Sequence, residues 1–135
     1  MKFIDTHTHL YLKQFSEDID TVISDSISSG IDKLFLPNIS SETTKDMLDL
    51  CKKYPETCYA MMGLHPCDVK SESIERELLD VENMLEKEKF IAVGEIGIDL
   101  YWDKSTLPLQ KEAFIFQIDL AKKHKLPIAI HVRDS

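Results

Sequence analysis

The sequence has no apolar stretch approaching the roughly 20 residues that a helix needs to cross a bilayer, which argues against a membrane-spanning chain. It has no CxxC pair either. Its three cysteines, Cys51, Cys58 and Cys67, form an odd and scattered set, which speaks against a disulfide framework and fits a reducing, cytoplasmic setting. No apolar leader precedes the first strand-like run. Basic residues are in deficit, 16 against 24 acidic, for a net charge of −8. That balance argues against a broad basic face, so any attraction to a polyanion must be local, and bound dications would supply it. A glycine-rich loop of the dinucleotide-binding kind is missing, as is any linker or low-complexity tract. A chain of 135 residues, 43% of them apolar, is therefore read as one cored domain over residues 1–135.

What is there is a repeat. Five short runs rich in β-branched and aromatic residues recur at KFID (2–5), KLFL (33–36), CYAMM (58–62), FIAVG (90–94) and PIAIHV (127–132). Between them lie segments with helical spacing, such as Ile19, Val22, Ile23 and Ile27, or Leu109, Ala113, Phe116 and Leu120. Start signals at Ser41 and Ser73 and stop signals at Gly30, Pro55 and the Lys122 to Pro127 group agree with this division. Strand-plus-helix units of this kind build both doubly wound sheets and eight-stranded barrels. The placement of metal-type residues at the carboxyl ends of successive strands favours the barrel. The expected fold is α/β, the first half of a TIM (β/α)8 barrel of the metallo-dependent hydrolase type, with about five strands and four helices. A full barrel takes about 250 residues, so the outer edges of such a sheet are expected to need a cover, by further strands or by self-association.

The chemistry-bearing residues lie at these strand ends. In IDTHTHLY, His7 and His9 stand two apart on an extended segment, where side chains of period 2 point the same way and two imidazoles can converge on one ion. For this pair alone, two unrelated polar residues at a strand end is an equally open reading. Glu95 closes the fourth strand in AVGEIGID, flanked by Gly94 and Gly97. A carboxylate among apolar neighbours is costly to bury unless paired or bound to a cation. His131 follows the apolar run of the fifth strand in PIAIHVRDS, and His65 follows the third in MGLHP. His7, His9, Glu95 and His131, on three strand ends of one face, make a candidate metal site. Arg133 offers a permanently charged planar fork for phosphate oxygens, or else a surface ion pair. Tyr101 and Trp102 offer rings on which an unpaired base could stack, or else pack beneath a loop. Asp99 and Asp134 are candidates to orient ligands from behind, or else exposed loop carboxylates with no such role. Cys67 is expected to be a small buried or half-buried residue, and His124, near a helix end, to be structural.

The stretches DTHTH, GLHP, GEIGIDLYW and IHVRDS, in this order, resemble the TatD-type metal-dependent deoxyribonucleases, and the resemblance runs the whole length of the chain. It implies a barrel enzyme that hydrolyses DNA phosphodiesters with divalent metal, often as an exonuclease acting on single strands or chain ends. The family's first ligand positions match His7, His9 and Glu95, and its fifth-strand histidine matches His131. His65 then corresponds to a substrate-phosphate contact, or else is a loop histidine bonded to backbone. Two divalent ions, Mg, Mn or Zn, about 3.5 to 4 Å apart, would activate a water and hold both oxygens of the displacement, with Glu95 as the bridge. The family's barrel also supplies a further histidine and a late aspartate, the general base, from strands beyond the fifth, and neither occurs in these 135 residues. By themselves they are expected to bind metal weakly and to have little nuclease activity. Two other functions fit the same opening motif. One is an amidohydrolase-type barrel hydrolase acting on an amide or lactone, and the other a non-catalytic half-barrel acting through oligomerisation.

Overall fold

The computed structural model describes residues 1–135. Its elements run β1 (Phe3–Asp5), α1 (Ile19–Ser28), β2 (Ile31–Pro37), α2 (Ser41–Lys53), β3 (Cys58–Met61), α3 (Ile74–Lys87), β4 (Val93–Asp99), α4 (Leu107–His124) and β5 (Ile128–Arg133). Short 3-10 turns at Lys13–Phe15 and Pro66–Asp68, which periodicity does not signal, lie in the loops after β1 and β3. Every strand pairing is parallel: β1 with β2, β2 with β3, β4 with β5, and a bridge from Met62 to Val93 joins the two groups. Strand order therefore follows chain order, with a helix between each pair, which is the expected half of a parallel α/β barrel.

Local chemistry sets the element ends. Ser40 and Thr43 form a capping box that opens α2, one residue earlier than the sequence signal at Ser41. Gly30 adopts φ +97° to turn α1 into β2, and Lys125 takes the left-handed conformation that closes α4 ahead of Pro127. Leu34 and Leu36 of β2 and Val93 and Ile96 of β4 are buried against Met47, Leu50, Leu78, Val81, Leu85, Ala113 and Leu120 of the helices. Burial of each large aliphatic side chain is worth about 1.5 to 3 kcal/mol, and this layer holds the helices to one side of the sheet.

β4 differs from the sequence expectation. The run at 90–94 places Glu95 at a strand end, but the strand begins at Val93 and continues to Asp99, so Glu95 is its third residue. The apolar run overstated the start because Phe90 and Ala92 are buried core residues of the preceding connection. Polar Glu95 and Asp99 continue the strand because His131 of the neighbouring β5 and groups from the adjoining loops and α4 satisfy them.

The two outer strands, β1 and β5, each have one hydrogen-bonded neighbour and expose large apolar side chains, Phe3 and Ile4 on the first and Ile128, Ile130 and Val132 on the second. Such edges favour the addition of further strands. No helix is long and apolar enough to cross a membrane.

Candidate metal centre

The centre is assembled around one buried carboxylate. Glu95 Oε2 lies 3.0 Å from His7 Nε2 and 3.3 Å from His9 Nε2. Its other oxygen, Oε1, lies 2.9 Å from His131 Nδ1 and 3.6 Å from His65 Nε2. Two groups with metal-ligand spacing therefore share Glu95, namely His7, His9 and Glu95, and His65, Glu95 and His131. The side chain of Glu95 is 8% exposed.

The two histidines of the opening motif converge, but not by strand alternation. β1 ends at Asp5, and residues 6–9 are irregular. Asp5 Oδ1 accepts from the His7 amide at 3.0 Å, and the Thr8 amide donates to Phe35 O at 3.0 Å. These bonds hold the loop so that the rings sit edge to face, 5.2 Å apart. Glu95 is held by a residue that sequence reasoning missed. Buried Asn38, at the end of β2, accepts from the Glu95 amide at 3.2 Å and donates its own amide to Gly94 O at 3.0 Å. Its side-chain amide donates to Ser40 O, Thr44 Oγ1 and Gly63 O. The available signal was a polar residue directly after the apolar run FLP.

Two more buried amides, both on α4, clamp the loops that carry the centre. Gln110 accepts from the Asp99 amide at 2.8 Å and donates to Asp99 O at 2.9 Å. Gln117 does the same to Leu64, the residue before His65, at 2.7 and 3.2 Å. They stand seven apart, on one helix face, which a search for polar residues within the apolar pattern of α4 would have found.

Outer partners fix which histidine nitrogen carries the proton. Asp99 Oδ2 lies 2.8 Å from His131 Nε2. Burial opposes ionisation of Asp99, but hydrogen bonds from His131 and the Tyr101 amide win and lower its pKa, so the carboxylate accepts and His131 Nε2–H donates. In the neutral ring Nδ1 then presents a lone pair to Glu95 Oε1 at 2.9 Å. Two acceptors at that separation repel unless a proton or a cation lies between them, so the donor set fits a cation. His65 is arranged the other way. The Cys67 amide donates to its Nδ1 at 3.1 Å, which leaves the proton of the neutral ring on Nε2, 3.2 Å from His131 Nδ1. His65 thus presents an N–H, although its spacing alone would admit it as a ligand. Replacing Asp99 by alanine should free the His131 ring and weaken metal binding by about 10- to 100-fold, read by titration with Mn2+; an unchanged affinity would refute the orienting role.

Asp134 is exposed and lies outside the cluster, and His124 faces Glu86 at 3.6 Å at the far end of α4. Cys67 corrects the sequence expectation, because it is exposed: Pro66 is the member of the 3-10 turn that turns inward. Partial desolvation of the sulfur and the nearby Asp99 carboxylate nevertheless raise its thiol pKa to about 11, so it is protonated at neutral pH. Arg133, Tyr101 and Trp102 come together beside the centre. The guanidinium lies 3.7 Å from the centroid of the Tyr101 ring, and Trp102 packs edge-on against Tyr101 at 4.8 Å. One face of Tyr101 is therefore occupied by Arg133, whereas Trp102 is 73% exposed.

A half-barrel whose strand ends bring four imidazoles onto one carboxylate belongs to the architecture of metal-dependent hydrolases. The family model for the TatD related DNases matches residues 4–135. The metal-dependent hydrolase YabD of Bacillus subtilis is 35% identical over 97% of this chain and 51% of its own length. The 3'-5' ssDNA/RNA exonuclease TatD of Edwardsiella piscicida is 30% identical over 98% of this chain and 50% of its own. The crystal structure of YjjV, the TatD homologue of Escherichia coli K12, superposes with a TM-score of 0.89 at 34% identity, covering 98% of this chain and 51% of that one. The chain belongs to the TatD related DNase family. It spans about half the length of the curated relatives it matches.

Proposed function

We propose that residues 1–135 form the first half of a barrel that hydrolyses nucleic-acid phosphodiesters with two divalent ions, working from the ends of single strands in the cytoplasm. The observation that carries this reading is that each oxygen of Glu95 meets its own pair of imidazoles, His7 and His9 on one side and His131 and His65 on the other. A carboxylate so placed suits a bridge between two cations, with His7 and His9 holding one and His131 the other. Mg, Mn and Zn all accept carboxylate oxygen, and imidazole favours Mn and Zn. Bound there, divalent ions would polarise a phosphoryl oxygen and supply a hydroxide nucleophile at neutral pH.

The remaining work falls to the chain's own groups. A cation held by His131 Nδ1 would leave the Nε2–H of His65 without its acceptor and available to a phosphate oxygen. Arg133, kept flat by the Tyr101 ring, presents its fork to the same or the neighbouring phosphate. Trp102, open to solvent, is the ring on which an unpaired base stacks, for about 1 to 3 kcal/mol. Single strands fit the net charge of −8, because attraction confined to the centre suffices for one phosphate at a time. The names of the exonuclease relatives support the same substrate class.

The experiment compares turnover of end-labelled single-stranded DNA by residues 1–135 and by a chain extended through a complete barrel, with Mg2+, Mn2+ and Zn2+. The extended form should cleave from the end, and the shorter one at least about a hundredfold more slowly, since a general base from later strands is worth about 10² to 10⁴. Equal rates would overturn the half-barrel reading. Hydrolysis of an amide or lactone with no attack on DNA would replace the substrate class. A stable dimer through β1 and β5 with no hydrolysis at all would replace the catalytic reading.

A further inference from the structure

Tyr11 touches the centre from the loop after β1. It follows His9 by two residues and is buried, and its hydroxyl makes two contacts: 2.7 Å to His9 Nδ1 and 2.5 Å to the carbonyl oxygen of Pro37, at the end of β2. A phenol has one proton to give. Pro37 O can only accept, so the phenol proton is committed to it; otherwise two oxygens would face each other bare at 2.5 Å. The Tyr11 oxygen is left with its acceptor capacity, and His9 Nδ1 must be the donor.

We infer that Tyr11 is a positioning residue that locks His9 in its Nδ1–H form and thereby turns the Nε2 lone pair onto Glu95, making His9 a ligand in place of a hydrogen-bond donor. The inference rests on the reading of His9 as a metal ligand and adds the group that makes it one. In the neutral ring, Nε2 then faces Glu95 Oε2 at 3.3 Å with no proton between them. The second carboxylate oxygen is thus in the same position as the first, which faces the Nδ1 lone pair of His131. The three histidines with resolved outer partners are sorted by those partners. A phenol oxygen and a carboxylate make His9 and His131 lone-pair donors toward the centre, whereas a backbone amide makes His65 a proton donor. Because the phenol is anchored on Pro37, the lock also ties the loop after β1 to the end of β2. The His9 and Tyr11 rings meet edge to face at 5.7 Å, so the ring alone keeps its packing if the hydroxyl is removed.

The test has two readouts. Long-range 15N–1H correlation spectra of the metal-free protein, at a pH where His9 is neutral, report its tautomer. The wild type should show the proton on Nδ1, and Tyr11→Phe should shift His9 toward the Nε2–H form that free imidazole side chains prefer. Titration with Mn2+ should show about a 10- to 100-fold loss of affinity in Tyr11→Phe, and no further loss when the substitution is made in a His9→Ala background, because the effect passes through His9. A proton on Nε2 in the wild type would overturn the inference even if Tyr11→Phe failed to fold. An unchanged affinity in Tyr11→Phe beside a weakened His9→Ala would overturn the inference and leave the metal centre standing. Undiminished affinity in His9→Ala would remove both.

Discussion

Glu95→Gln should abolish metal-dependent hydrolysis in the complete barrel, lowering it by about a thousandfold or more, and should show none of the rise in unfolding temperature that Mn2+ is expected to give the wild type. The substitution keeps the shape and replaces one oxygen by an amide that carries protons and no charge. Whichever way the amide is turned, one imidazole pair then faces an N–H2 group, and a cation on that side is repelled. The remaining oxygen is a neutral acceptor, too weak to share between two ions. Glu95→Asp should fall between the two, since it keeps the charge but withdraws it from imidazoles that stand 2.9 to 3.3 Å from the glutamate oxygens. A glutamine variant that kept both its metal response and its rate would mean that Glu95 is only a hydrogen-bond hub for the histidines.

The second large effect is on folding. Gly97 has φ +148°, and a Cβ built there would lie 2.0 Å from the backbone oxygen of His131, its partner in the β4–β5 pairing. Backbone oxygen cannot swing aside as a side chain would. Gly97→Ala should therefore destabilise the protein by about 3 kcal/mol or more, from overpacking combined with a strained backbone. The damage should be directional: the strands separate where His131 is held, so metal affinity should fall further than global stability explains. Urea denaturation with Mn2+ titration measures both. Wild-type stability in Gly97→Ala would show that the close approach of β4 and β5 is not required.

The layout of strands and helices was legible because each unit carries its own local signals. Apolar runs of strand length, helical spacing and stop residues such as Gly30 and Pro55 need no knowledge of distant partners. The candidate ligands were legible for a related reason: His7, His9, Glu95 and His131 follow or interrupt apolar runs, where a polar residue calls for a local explanation. What stayed hidden depends on contacts between units. Nothing near Asn38 shows that its backbone bonds to Gly94 and Glu95, and nothing near Gln117 shows that its amide pairs with Leu64. The Tyr11 hydroxyl likewise reads as an ordinary core tyrosine until Pro37 is found beneath it. The strand limits of β4 were misplaced for the same cause, since periodicity cannot foresee that a buried carboxylate will be satisfied by histidines from three other segments. Tyr101 and Trp102 looked equivalent in sequence, and the contact with Arg133 separates them.

The central claim is that Glu95 lies between two cations. A crystal of the protein soaked in Mn2+, with anomalous scattering collected at the manganese edge, tests it most directly. Two peaks are expected on opposite oxygens of the Glu95 carboxylate, one within ligand distance of His7 and His9 and the other within ligand distance of His131 Nδ1, with His65 turned toward neither. Manganese bound elsewhere at saturation, while the imidazoles remained hydrogen-bonded to Glu95, would contradict it.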